Sequence, residues 1–252
     1  MIEFFQTLWE LSPVWIVKLI PAFITTLLLT ASSFALAVVL AIIIEVVRTN
    51  AGAAVRNALE IYVDIVRSLP ILALLYLIYF GLPGLGILLS AFTSGTIGLA
   101  VIYSTDVAEV LRGGVQALHR GQKEAGLAVG STPLAVFRFI ILPQAVRTVT
   151  PPLLTTLISL LKDTSICALI AVNELMLTAK VIMSRTFLPL HVFVLVGVIY
   201  FLMSWPLSLF VRWLEPASSC RPDSELMSDD ANHPRQRMQH RHCRNCRRSG
   251  KS

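Results

Sequence analysis

Charge is scarce in this sequence. Asp, Glu, Lys and Arg make up 14% of its 252 residues, against roughly 25% in soluble globular domains. Apolar residues reach 55%, and the mean hydropathy is +0.72. A soluble globular domain is excluded, and the chain belongs in a bilayer. A phosphate-binding loop is missing too: the only Gly-Lys-Ser, Gly250-Lys251-Ser252, has Asn245 where Gly-x4-Gly-Lys-Ser/Thr needs its first glycine. The chain therefore has no nucleotide-hydrolysing loop of its own. Cysteine is sparse, and Cys167 stands in an apolar run with no histidine near it in sequence, so it reads as a small buried residue rather than a nucleophile. Acidic residues end at Asp230. Residues 1–230 hold 14 basic and 15 acidic side chains, whereas 231–252 hold seven basic ones and no acid. The net +6 therefore describes a tail, and no nucleic-acid partner is expected from it.

Long charge-free runs mark the membrane spans, because about 20 apolar residues cross a hydrocarbon core of roughly 30 Å. Leu19 to Ile44 is one, too long for a signal-peptide core and preceded by Glu3 and Glu10 rather than a basic segment. Ser68 to Thr105 is a second, divided by Gly81-Leu82-Pro83-Gly84-Leu85-Gly86. Five spans are expected, at about 19–44, 60–80, 94–115, 152–172 and 187–211. The fold class is all-α, a polytopic membrane protein with its termini on opposite sides. Lys and Arg counts orient it. With the N-terminus outside, the inner segments hold Arg48, Arg56, Arg112, Arg120, Lys123, Arg138, Arg147 and Arg212, against Lys18, Lys180 and Arg185 outside. A re-entrant 94–115 segment is the alternative, and would leave an even number of spans.

The inner connection at about 118–147 is too long to be a plain turn. Gln122 to Val129 suits a helix, Gly130 a left-handed cap, and Ser131-Thr132-Pro133 a new helix start. Leu134, Phe137, Ile140 and Ile141 supply an apolar stripe, and Pro143 is expected to stop this second helix. The product is a helix-turn-helix on the cytoplasmic surface, either a docking lever or an amphipathic loop resting on headgroups.

Glu124-Ala125-Gly126, three residues, Gly130, nine residues and Ile140-x-Leu142-Pro143 resemble the EAA loop of ATP-binding-cassette (ABC) importer permeases, E-A-A-x3-G-x9-I-x-L-P. Every spacing is kept, and Gly126 replaces the second alanine. Arg112-Gly113-Gly114, Leu142-Pro143-Gln144-Ala145, Ser159 to Ser165 and Arg67-Ser68-Leu69-Pro70 are similar to the polar amino-acid branch, over about residues 20–215. The resemblance implies a type I importer permease fold in the bacterial inner membrane, N-terminus periplasmic and C-terminus cytoplasmic. It also implies a 1–216 permease domain without cofactor or metal. Its partners would be an ATPase dimer, a second permease subunit (identical or paralogous), an extracytoplasmic solute-binding protein and membrane lipid. Glu124, Ala125, Gly126, Gly130, Ile140, Leu142 and Pro143 would couple the permease to the ATPase.

Charged groups at membrane depth usually mark a pathway. Lys162 and Asp163 sit about ten residues into the fourth span, as solute contacts or as an internal ion pair. Asp106, Glu109 and Arg112 share one face of the third span, where Glu109 and Arg112 can pair. Asp106 either meets a cationic group of the solute or pairs with Lys162 or Arg67. Arg67 and Pro70 interrupt the second span near its inner half, for gating or for packing. Tyr200, Trp205 and Trp213 read as interfacial anchors. The 217–252 tail is expected to be disordered and basic. Its His240, His242, Cys243 and Cys246 lie too close together to build a zinc finger. An ion-coupled secondary transporter is the competing class, but no internal repeat supports it.

Overall fold

Inside a bilayer no water can satisfy backbone N–H and C=O groups, so a spanning segment must pair them within itself. The computed structural model describes residues 2–116, 130 and 132–214, and these form helices and short connections with no strand among the described residues. They make up one compact unit that ends at Leu214. The tail at 217–252 and the Glu124-Ala125-Gly126 stretch lie outside the described residues.

Helix α1 (Ile2–Asn50) runs for 49 residues, about 73 Å at 1.5 Å per residue. It is far longer than the hydrocarbon core and contains the whole 19–44 run. The 60–80 stretch is not one straight helix. Helix α2 (Ala53–Ser68) and helix α3 (Ile71–Tyr76), continued by a π-helical turn (Leu77–Gly81) and a 3-10 turn (Leu82–Leu85), meet at a 99° bend. Leu69 and Pro70 make the bend. A residue before proline is pushed out of the helical region, and Leu69 is extended at φ −81°, ψ 134°. The Gly81–Gly86 cluster ends this arm, with Gly86 left-handed at φ 81° and its N–H donating to the Pro83 carbonyl at 3.0 Å.

Helix α4 (Ala91–Gln116) is the hub. It packs along α1 more extensively than any other two helices pack, and also meets α2, α3 and the Leu142–Asp163 helix with the 3-10 stretch after it. Leu99, Ala100, Val107 and Ala108 are fully enclosed. Among the described residues three segments are long and apolar enough to cross a membrane, Trp9–Asn50, Arg138–Ile170 and Pro189–Leu214, or four if the bent pair counts as one. Helix α4 is not among them. A helix surrounded by other helices faces no lipid and can carry Ser94, Ser104, Thr105 and Asp106.

After the 117–131 connection come α5 (Pro133–Val136), a π-helical turn (Phe137–Ile141), α6 (Leu142–Asp163), a 3-10 stretch (Thr164–Ile170), α7 (Leu175–Thr186) and α8 (Pro189–Leu214). Thr132 opens α5, its hydroxyl accepting from the Ala135 N–H at 3.3 Å. The expectation that Pro143 stops this helix is overturned. Pro143 lies in the first turn of α6, where a missing N–H costs no intrahelical bond, and the preceding π turn absorbs the change of register. The apolar surfaces of α1 and α8, among them Ile24, Leu28, Ile43, Phe201, Leu202 and Leu209, remain exposed, as surfaces solvated by lipid should.

Candidate functional site

A polar seam runs between α2, α4 and the end of α6. Tyr103 and Asp106, three residues apart on α4, share a face. The Tyr103 hydroxyl donates to Asp163 Oδ2 at 2.6 Å, and its ring is buried at 4% exposure. Asp163 is the last residue of α6, where the helix tightens into the 3-10 stretch. Asp106 Oδ1 lies 3.2 Å from Arg67 Nε, and both side chains are about half exposed. The bend at Leu69-Pro70 therefore ends α2 with Arg67 directed at α4. Of the alternatives the sequence left open, Asp106 takes Arg67. Lys162 does not pair with Asp163 or with any other acid among the described residues, and its side chain is exposed. Adjacent helical residues diverge by about 100°, which sends Asp163 to Tyr103 and leaves the Lys162 ammonium available. The seam thus offers two carboxylates, each held by one partner from another helix, and the Arg67 guanidinium. Such a set can accept an ammonium or guanidinium group by displacing Arg67, and the displaced Arg67 can meet a carboxylate.

Helices α4 and α6 flank the 117–141 segment and touch just outside it. A Cβ built on Gly114 would overlap Val149 Cγ1, so any larger residue there would force Val149 to move. Gly130 is left-handed at φ 82°, the conformation glycine adopts without penalty. Ile140 is half-buried, while Leu142 and Pro143 are exposed on the surface that follows.

Two features escaped sequence reasoning. Glu174, fully buried, caps α7 by accepting from the Met176 N–H at 2.8 Å and the Leu177 N–H at 2.7 Å. The Tyr200 hydroxyl of α8 donates to it at 2.9 Å. Thr26 of α1 accepts from the Leu175 N–H at 3.2 Å, so one polar knot joins α1, α7 and α8. Tyr200 is half-buried and tied to Glu174, whereas Trp205 and Trp213 are exposed. Glutamate is an uncommon N-cap, so Asn173-Glu174 gave no clear signal. The second feature is an ionic cluster in which Glu109 meets Arg112, as its spacing suggests, at 3.5 Å, but also Arg48 of α1 at 3.0 Å. Cys167 is fully buried, within 3.2 Å of where a Cβ on Gly95 would sit, a packing residue against α4.

Known proteins share this organisation. The family model for the binding-protein-dependent transport system inner membrane component matches residues 37–219. A probable glutamine ABC transporter permease of Bacillus subtilis is 34% identical over 193 residues, covering 77% of this chain and 89% of the relative. The glutamine transport system permease of Escherichia coli K12 is 31% identical over 192 residues, with 75% and 88% covered. Among solved structures, an amino acid ABC transporter crystallised with histidines superposes with a TM-score of 0.76 at 30% identity, over 84% of this chain and 97% of that one. A methionine ABC transporter in an inward-facing conformation shares the fold, at TM-score 0.63 and 21% identity over 79% and 97% of the two chains. With its apolar helices and its own central hub, the chain belongs to the family of binding-protein-dependent transport system inner membrane components, as a multi-pass ABC transporter permease of the amino-acid branch.

Proposed function

We propose that this chain forms one half of the translocation pathway of an ATP-driven importer for polar amino acids or related compounds. A second permease, identical or paralogous, completes the pathway, an ATPase dimer drives it, and an extracytoplasmic binding protein delivers the solute. In this reading the chain crosses the membrane five times, α4 being the enclosed third crossing, with its N-terminus periplasmic. The observation that carries it is the seam of Arg67, Asp106, Tyr103 and Asp163, set in a chain 30% identical in sequence to an amino acid ABC transporter of the same fold. Opposite charges along one seam suit a solute with both an ammonium and a carboxylate. Coupling enters through Glu124, Ala125, Gly126, Gly130, Ile140, Leu142 and Pro143. This segment joins α4 to α6, so an ATPase that moves it moves both walls of the seam.

The test is reconstitution. The chain, with the ATPase and binding protein that co-purify with it, is placed in proteoliposomes, and amino-acid uptake is followed with and without ATP. Candidate solutes come from a thermal-shift screen of the binding protein. Uptake that requires ATP and the binding protein supports the assignment. Uptake by this chain alone, insensitive to ATP depletion, refutes it in favour of a secondary transporter.

A further inference from the structure

Glu45, Arg48, Glu109 and Arg112 form a chain of alternating charges where α1 and α4 approach their C-terminal ends. The Arg48 side chain is only 5% exposed. Its Nη1 lies 3.0 Å from Glu109 Oε1 on the opposite helix and 3.5 Å from Glu45 Oε2 on its own. Arg112 Nη1 lies 3.5 Å from the same Glu109 oxygen. Arg48 Nε and Nη2 and Glu45 Oε2 are buried and have no hydrogen-bond partner among the described residues. A buried charge must keep a partner, and breaking such a pair by removing one side is strongly unfavourable. Here each helix carries a spare. Glu45 and Arg48 are three residues apart on α1, as Glu109 and Arg112 are on α4, and such neighbours stay together whatever the helices do. Of these three ion pairs, Arg48–Glu109 is the one that joins α1 to α4. If the helices separate there, Arg48 turns its unused donors to Glu45 Oε2 and Glu109 retains Arg112, so neither charge is stranded.

We propose that the Arg48–Glu109 pair is a reversible clasp between α1 and α4, opened and closed in each transport cycle, with Glu45 and Arg112 as same-helix partners in the open state. The inference rests on the transport reading for its role: α4 leads directly into the 117–131 connection, so the clasp sets the position from which coupling acts. Arg48 and Glu109 are positioning residues. They act through α4 and need touch neither solute nor nucleotide.

Removing the spare partner and removing the clasp partner should have opposite effects, which loss of packing would not produce. Spin labels at Asn50→Cys and Gln116→Cys, both exposed positions, are introduced with Cys220, Cys243 and Cys246 replaced by serine. Pulsed electron resonance then reads the α1–α4 separation in the membrane-embedded full complex. Glu109→Gln should shift the population toward the separated state and Glu45→Gln toward the clasped state. Each ratio should move by about fivefold or more, the lower end of ordinary coupling factors, and uptake per ATP should fall in both variants. If Glu109→Gln does not assemble, Glu109→Asp, which draws the charge back, must shift the same way. Unchanged populations, or shifts in the same direction for both carboxylates, overturn the clasp. Absence of ATP-driven uptake by the wild type overturns the transport reading instead, and the separations still decide whether the clasp exists.

Discussion

Gly114 is a close approach between α4 and α6, and Gly114→Ala tests whether that approach matters. The new methyl would overlap Val149 Cγ1, and Val149 is itself buried at 6% exposure. In a membrane the transfer contribution of one more methyl is small, because lipid is as apolar as a side chain. The cost is therefore steric. Overpacking of this kind costs about 1–3 kcal/mol, which lowers the Tm of a chain this size by about 3–9 °C at about 3 °C per kcal/mol. Val149→Ala alone removes contacts and should cost roughly 1 kcal/mol through the gap it leaves. The double variant restores room for the methyl, so its loss should fall short of the sum of the singles by about 1–2 kcal/mol, within the usual range for residues in contact. Thermal unfolding of the purified transporter for the wild type, both singles and the double closes the cycle. Additive losses would refute the reasoning, and so would a Gly114→Ala protein as stable as the wild type.

Three further outcomes are expected. Gly130→Asp places a charged side chain at φ 82°, with a strain of about 1 kcal/mol. It should leave insertion and ATP hydrolysis intact while cutting uptake, and wild-type uptake at normal expression would contradict the coupling role. Asp106→Asn removes half of a pair whose side chains are 40–49% exposed. Its stability should change by about 1 kcal/mol or less, so altered transport affinity or preference for cationic amino acids can be read directly, and unchanged values in both would assign Asp106 to packing. Glu174→Ala removes a helix cap, about 1 kcal/mol, and one hydrogen bond to Tyr200, about 0.5–1.5 kcal/mol more. A Tm drop of roughly 5–8 °C is expected, and an unchanged Tm would contradict the capping role.

Some of this molecule was legible in one dimension because the physics behind it is local. A charge-free run of 26 residues must avoid water wherever it lies, so the core of α1 could be read from Leu19 to Ile44. Pro70 forces Leu69 out of the helical region whatever surrounds it, and Thr132-Pro133 marks a helix start by capping chemistry alone. Pro143 misled for an instructive reason. Proline ends a helix that precedes it and begins one that follows it, and which of these occurs depends on whether the chain is already helical, here through a π turn.

The sequence by itself determined the class of the protein, the positions of its apolar runs, the absence of a phosphate-binding loop and the spacing of the 124–143 motif. These follow from composition, periodicity and short-range sterics. Only the tertiary structure decided which charges meet: Asp106 with Arg67, Asp163 with Tyr103, Glu174 with Tyr200, and Glu109 with Arg48 as well as Arg112. The reason is geometric. A buried charge takes whatever opposite group the packing brings within about 3 Å. For helices more than 60 residues apart in sequence, as α1 and α4 are at Arg48 and Glu109, that is fixed by their crossing and by the small residues that let them approach.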